Sequence, residues 1–304
     1  MTVVVLAGGS GGAKLARGML DVADDLVVVA NTGDDLDVYG AHVSPDPDLV
    51  SFSLLDRIDP RGWGLEGDTF EVMEGLREIG VDVWFNLGDR DLAYSIERRR
   101  MLDDGARLTE AQAVIGRGLG LRAGVLPMCD EPVATRVRTG GGWHDFQEFM
   151  IRLGGAAVDF DAVDGVELAG IEAATVTPEV AAALAGAEAI VIGPSNPVIS
   201  IGPILRVPGM REALRDSPAP VVAVSPIVGG TSVKGPTLGF LRWAGVPATA
   251  AGVARYYGDV LDGIVADEPV EELPSTTTDT MMSDAESRRR VAEAALELAR
   301  SLRG

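Results

Sequence analysis

The sequence predicts an α/β fold: a Rossmann-like, mostly parallel sheet with helices on both faces and a helix-rich insertion. Three observations predict it. Thr2 to Ala7 carries the continuous apolar run Val3-Val4-Val5-Leu6, the pattern of a strand covered on both faces. The glycine-rich stretch Gly8-Gly9-Ser10-Gly11-Gly12 follows, and Ala13 to Leu20 then reads as a helix. Leu26 to Ala30 is a second buried strand. Strand, glycine turn, helix, strand is a βαβ unit, whose sheet is parallel.

Later strands are expected at Val81–Phe85, Ala123–Leu126, Ala134–Arg138, Ala189–Ile192, Val221–Val224 and Gly263–Ala266. Helical patterns occupy Asp68–Ile79, Leu92–Asp103, Thr109–Gly118, Pro178–Ala185, Met210–Arg215 and Asp284–Leu302. Ser283 with Glu286, and Thr109 with Gln112, have the spacing of capping boxes. The core is assigned to residues 1–44 and 171–304, a Rossmann-like nucleotide-binding unit. Residues 45–170, richer in helix and in glycine loops, form the insertion. Asp267–Asp279 is a polar, proline-containing connection, a surface loop or a mobile lid.

Composition excludes several classes of function. The 304 residues hold 46 acids and 26 bases, for a net charge of −20. Such a chain is repelled by nucleic-acid backbones and anionic membranes, so neither is expected as a partner. No apolar run approaches the length of a membrane span, and no basic leader precedes the first strand. Cys129 is the one cysteine, so no intrachain disulfide forms, and a cytoplasmic location is the expectation. His42 and His144 are the only histidines, which argues against a Cys/His zinc site; plentiful carboxylates favour Mg²⁺ instead. Lys14 and Lys234 are the only lysines. The acid excess and arginine bias point to a halophilic source, where salt screens self-repulsion. A melting temperature that rises between low and molar KCl is the expected result; a steady fall would remove this reading.

The loops that follow strands carry the chemistry. The segment Gly8 to Leu15 opens a helix, where glycines let backbone amides approach an anion. It matches neither the Walker A nor the dinucleotide fingerprint, so a tight packing turn is the plain alternative. Gly9, Gly11 and Gly12 are the phosphate-binding candidates. Lys14 and Lys234, each beside a glycine loop, could serve phosphate as point charges. In Asn31-Thr32-Gly33-Asp34-Asp35, Asp34 suits a ribose or Mg²⁺. Pro45-Asp46-Pro47-Asp48 reads as an acidic turn whose proline-fixed carboxylates suit a metal beside a diphosphate. Asn86 and Asp89 are expected at the ligand crevice, with Asp91 capping the helix that follows. Ser195 and Asn196, in Gly193-Pro194-Ser195-Asn196-Pro197, complete a nucleotide-sized site. Cys129 and His144 read as structural. Trp63 and Trp84 read as core, or as aromatics that stack on a flat heterocycle.

In this order the motifs resemble one family, 2-phospho-L-lactate transferase, the deazaflavin-modifying enzyme of coenzyme F-420 biosynthesis. The resemblance spans nearly the whole chain. It rests on the Ala13-Lys14-Leu15 loop end, Asn31–Asp35, Ser44-Pro45-Asp46-Pro47-Asp48, Leu87-Gly88-Asp89-Arg90-Asp91 and Leu126-Pro127-Met128. Gly193–Pro197 with Ser200-Ile201-Gly202-Pro203-Ile204, then Ser225-Pro226-Ile227 and Val253-Ala254-Arg255-Tyr256-Tyr257, complete it. The resemblance implies transfer of a phospholactyl group from lactyl-2-diphospho-5′-guanosine to the ribityl hydroxyl of the deazaflavin Fo, releasing GMP. It implies Mg²⁺, which the reading of the acidic loops gives to Asp34 and Asp48, and a homodimer. It implies that Asp48 and Asn86 touch Fo, although relatives carry lysine or other residues at the second position, and leucine in place of Pro47. Asp48 is the first choice for the group that orients the hydroxyl or accepts its proton. Asp48→Asn should then remove turnover and spare packing. Two rivals share parts of the pattern: an NAD(P)-dependent dehydrogenase with Asp34 on the ribose, and a non-catalytic nucleotide-sugar-binding regulator.

Overall fold

The computed structural model describes residues 2–154, 163–232 and 235–303. The chain opens with β1 (Thr2–Ala7), α1 (Gly9–Met19), β2 (Asp25–Ala30), the short pair β3 (Leu36–Val38) and β4 (Ala41–Val43), and α2 (Pro45–Leu54). Then come α3 (Glu71–Glu78), α4 (Asp89–Asp103), α5 (Leu108–Leu119), β5 (Gly124–Pro127), β6 (Ala134–Thr139), β7 (Gly142–Asp145), α6 (Phe146–Ile151) and β8 (Val163–Ala169). The last part holds α7 (Pro178–Ala185), β9 (Ala189–Ile192), α8 (Gly202–Arg206), α9 (Met210–Asp216), β10 (Val221–Val224), β11 (Ile227–Val228) and β12 (Thr231–Ser232). It closes with α10 (Thr237–Trp243), α11 (Ala250–Tyr257), β13 (Gly263–Ala266), β14 (Ser275–Thr277) and α12 (Ala285–Leu302).

The central sheet has seven strands in the order β14-β13-β10-β9-β1-β2-β5. Every pairing in it is parallel. The apolar run of β1 explains its central place, because both of its faces are covered. Val3, Val5 and Ala7 pack with Leu15 and Met19 of α1, Val50 of α2 and Val291 and Leu296 of α12. Val4 and Leu6 face the opposite layer, with Ile204 of α8, Phe240 of α10 and Tyr257 of α11. The α/β fold with helices on both faces is therefore as expected.

Several local expectations are corrected. The strand β5 lies within residues 45–170 yet pairs with β2 in the main sheet, so the insertion does not run unbroken from 45 to 170. That segment also carries its own antiparallel sheet, β7-β6-β8. Val81–Phe85 is not a strand; the Phe85 N–H donates to the Tyr39 hydroxyl at 3.0 Å instead of to a neighbouring strand. Pro45–Asp48 is the first turn of α2, not a free turn. Proline is tolerated there because first-turn N–H groups have no partner within the helix. The polar connection after Asp267 contributes β14, which extends the sheet edge along β13. The last helix is capped by Asp284 with Ser287, one residue on from the expected pair. At α5, Glu110 accepts the Arg107 N–H at 2.9 Å, so that box also starts earlier.

Candidate active site

The strand order reverses direction at β1, with β2 on one side and β9 on the other. In open α/β sheets the crevice beyond the strand ends at such a switch point is where ligands sit. The loops after β1, β2 and β9 meet there with the start of α2. Gly8 is the N-cap of α1, so the glycine-rich stretch is the first helical turn rather than a separate loop. The Gly9 N–H donates to Asp46 Oδ1 at 2.7 Å, and the Gly12 N–H to Ser195 Oγ at 2.8 Å. The N–H groups of Ser10 and Gly11 make no hydrogen bond among the described residues. Gly11 and Gly12 are also packing positions. A Cβ on Gly12 would lie 2.9 Å from Ala7 Cα, and one on Gly11 would collide with the Pro194 carbonyl. Of the phosphate candidates, then, Gly9 and Gly12 are committed within the fold. Lys14 is exposed on α1, and Lys234 lies outside the described residues.

Asn196 caps the short helical segment that follows it, its Oδ1 accepting from Val198 N at 2.9 Å. Its Nδ2 is buried with no partner among the described residues. Asn31 holds the β2 loop in the same way. Its Oδ1 accepts from Gly33 N at 2.8 Å and its Nδ2 donates to Asp46 Oδ2 at 2.9 Å. Asp46 thus ties the ends of β1 and β2 to α2.

The carboxylates divide into two groups. Asp34, Asp35 and Asp46 lie at the strand ends. Burial, then the charge of Asp46, raises Asp34 well above the usual carboxylate range. Burial also raises Asp35, against the pull of His42 and Ser44. Burial pushes Asp46 up to about 6, against the bonds from Asn31 and Gly9. Asp34 Oδ1 and Asp35 Oδ1 are buried without a partner among the described residues, as are the Thr32 and Thr135 hydroxyls. An ionised carboxylate oxygen in such a place calls for a donor or a cation, whereas a protonated one can itself donate.

Asp48 and Asp91 form the second group, around Arg98. Arg98 is fully buried, and its guanidinium grips both oxygens of Asp48: Nη1 to Oδ2 at 3.1 Å, and Nη2 to Oδ1. Of the two aspartates expected as metal ligands, Asp34 keeps an unpartnered oxygen, whereas both oxygens of Asp48 are engaged by an arginine. Asp91 does not cap α4 with its side chain. It turns inward, where burial and then the charge of Asp48 push it up to about 8. Its contribution to stability is complete below the ordinary value of 3.8 and is lost as pH rises towards about 8. Asp91→Asn removes that loss. The melting temperature of the variant should gain on the native protein between pH 5 and pH 8. A difference that stays constant would mean Asp91 is ionised throughout.

The helix caps come from two other aspartates. Asp89 Oδ1 and Oδ2 accept the Val72 and Glu71 N–H groups, each at 3.1 Å, at the start of α3. Asp68 Oδ2 accepts the Asp91 N–H at 3.2 Å, and Oδ1 that of Arg90 at 3.1 Å, at the start of α4. Asp89 is therefore a reciprocal cap rather than a crevice residue. Asn86 is half-buried and accepts from Arg77 of α3 at 2.7 Å. Trp63 is 46% exposed, with Arg61 stacked 4.4 Å from its ring, so it is not core. Cys129 is buried.

The motif order and this geometry find a match over almost the full chain. The family described as 2-phospho-L-lactate transferase CofD matches residues 3–297. The chain belongs to this family. Membership makes it a transferase of coenzyme F-420 biosynthesis. A 2-phospho-L-lactate transferase of Methanosarcina mazei is 40% identical, covering 96% of this chain and 98% of its own. A phosphoenolpyruvate transferase of Streptomyces griseus is 42% identical, covering 100% of both. A UPF0052-family structure from Bacillus halodurans shares the fold, with a TM-score of 0.60 at 17% identity over 97% of this chain and 98% of that one. No helix among the described residues is long and apolar enough to cross a membrane.

Proposed function

We propose that the chain transfers the 2-phospho-L-lactyl group from lactyl-2-diphospho-5′-guanosine to the terminal ribityl hydroxyl of Fo, with GMP as leaving group. The observation that carries this is the meeting of buried, under-bonded carboxylates with a helix N-terminus at the switch point, in a chain of this family. The hydroxyl oxygen attacks the phosphorus bearing lactate, the phosphoanhydride bond breaks to release GMP, and the hydroxyl proton passes to the Asp48 carboxylate or to solvent. Such a transfer needs positioning and charge neutralisation more than covalent help.

Each part of the site has a task in this reading. The Ser10 and Gly11 N–H groups meet a diphosphate oxygen, with the positive end of α1 behind them. The Asn196 amide donates to the donor nucleotide. Asp34 and Asp35 have the chemistry to hold Mg²⁺, which commonly takes only one or two carboxylates alongside substrate phosphates. When bound, the ion offsets charge on the diphosphate. Asp48 faces the acceptor and orients its hydroxyl. The working form in this reading is a cytoplasmic homodimer.

The test is to incubate the protein with Fo, the lactyl donor and Mg²⁺ and to weigh the products. GMP and phospholactyl-Fo are expected, and turnover should vanish in excess EDTA. Undiminished turnover in EDTA removes the metal from the reading. A parallel reaction with the phosphoenolpyruvyl donor belongs beside it, because the Streptomyces griseus relative is named for that group. A clear preference for that donor overturns the lactyl assignment.

A further inference from the structure

We propose that Arg98 is a positioning residue for this transfer, clamping the Asp48 carboxylate so that its remaining lone pairs face the acceptor hydroxyl rather than a metal. The inference rests on the function proposed above. Arg98 stands in the middle of α4, and its guanidinium reaches three other elements. Nη1 donates to the His42 carbonyl of β4 at 3.0 Å and to Asp48 Oδ2 of α2 at 3.1 Å. Nη2 donates to Asp48 Oδ1 and to Gln112 Oε1 of α5, the latter at 3.2 Å. Gln112 is braced in turn, its Nε2 donating to Ser51 Oγ at 3.2 Å, while Ser51 Oγ donates to the Pro47 carbonyl at 2.7 Å. The clamp therefore returns to the helix that bears Asp48.

Stability alone gives little reason for such a pair. Desolvating two charges roughly cancels their attraction, and apolar residues of similar size often serve as well. The neighbouring arginines do something different: Arg99 and Arg100 make exposed ion pairs one turn along the helix. Only Arg98 points inward, and it does so onto a residue in the first turn of α2. The same turn carries Asp46, which holds the first N–H of α1. One end of that turn is fixed to the phosphate side and the other to Arg98. A carboxylate has about four lone-pair sites, so a two-toothed arginine leaves the outer ones for a hydroxyl donor.

The experiment compares Arg98→Lys with the native protein by Fo binding, read from deazaflavin fluorescence, and by kinetics with each substrate varied. Lysine keeps the charge but cannot grip both oxygens. A folded Arg98→Lys should lose roughly tenfold or more in kcat/KM for Fo, the scale of a misplaced reacting group, and should bind Fo more weakly. The donor KM and the Mg²⁺ concentration for half activity should stay within about twofold. In an Asp48→Asn background, Arg98→Lys should add almost nothing, because it acts through Asp48. Native kinetics in Arg98→Lys, or equal losses for Fo, donor and Mg²⁺, would overturn the clamp. If Arg98→Lys does not fold, Gln112→Met removes only the outer brace and should still weaken Fo binding; unchanged Fo affinity there also overturns it. Native protein that binds Fo without transferring the group refutes the proposed function alone, and weaker Fo binding in Arg98→Lys then still supports the clamp. Native protein that neither binds nor modifies Fo refutes both.

Discussion

Asp48→Asn is expected to lower kcat for transfer to Fo by roughly two orders of magnitude or more, the range for a positioned acid–base or charge-stabilising group. It should also destabilise the protein, which the sequence alone did not imply. Asparagine keeps the size of the side chain but takes from the fully buried Arg98 the one carboxylate it grips directly, leaving only the charges of Asp35 and Asp91 nearby. Breaking one side of a buried pair costs about 3–5 kcal/mol. Adding Arg98→Met should recover much of that loss without recovering turnover. Denaturant melts and steady-state kinetics on the two variants separate the roles. Near-native kcat in Asp48→Asn would make Asp48 purely structural and move attention to Asp34 and Asp46.

Gly11→Ala is expected to have a large effect on folding. The methyl would run into the Pro194 carbonyl, which is backbone and cannot rotate aside. The start of α1 and the loop after β9 would have to separate at the switch point itself. Overpacking of this kind costs about 3 kcal/mol, and here it also displaces the N–H groups assigned to the diphosphate. Gly118→Ala is the control. Gly118 is exposed within α5, with nothing near its missing side chain, so alanine should be neutral or stabilise by up to about 1 kcal/mol. Equal melting temperatures for the two variants would refute the packing role of Gly11.

The sheet was legible where strands are buried on both faces. The ranges at Ala189–Ile192, Val221–Val224 and Gly263–Ala266 match β9, β10 and β13, because an unbroken apolar run permits little else between turn residues. Val81–Phe85 has a similar look but joins no sheet; composition does not reveal whether a neighbouring strand is present. The acidic start of α2 was hidden by its prolines, which mark helix starts as readily as turns. The aspartate-rich loops were found, yet their division of labour was not. Nothing local distinguishes Arg98 from Arg99 and Arg100, and a run of three arginines reads as a solvated face. Its partner is fifty positions away in sequence, so only the fold shows which of the three turns inward.

The exchanged caps of Asp68 and Asp89 have a consequence for motion. Each aspartate precedes or begins one helix and satisfies the amides of the other, so neither α3 nor α4 can fray at its start without orphaning groups in its partner. The two should open as a single cooperative unit rather than as independent segments. Asn86 is bound to α3 through Arg77, and Arg98 rides on α4. Asn86, expected to touch Fo, and Arg98, proposed to position Asp48, are thus coupled in thermal fluctuation and should move as one piece.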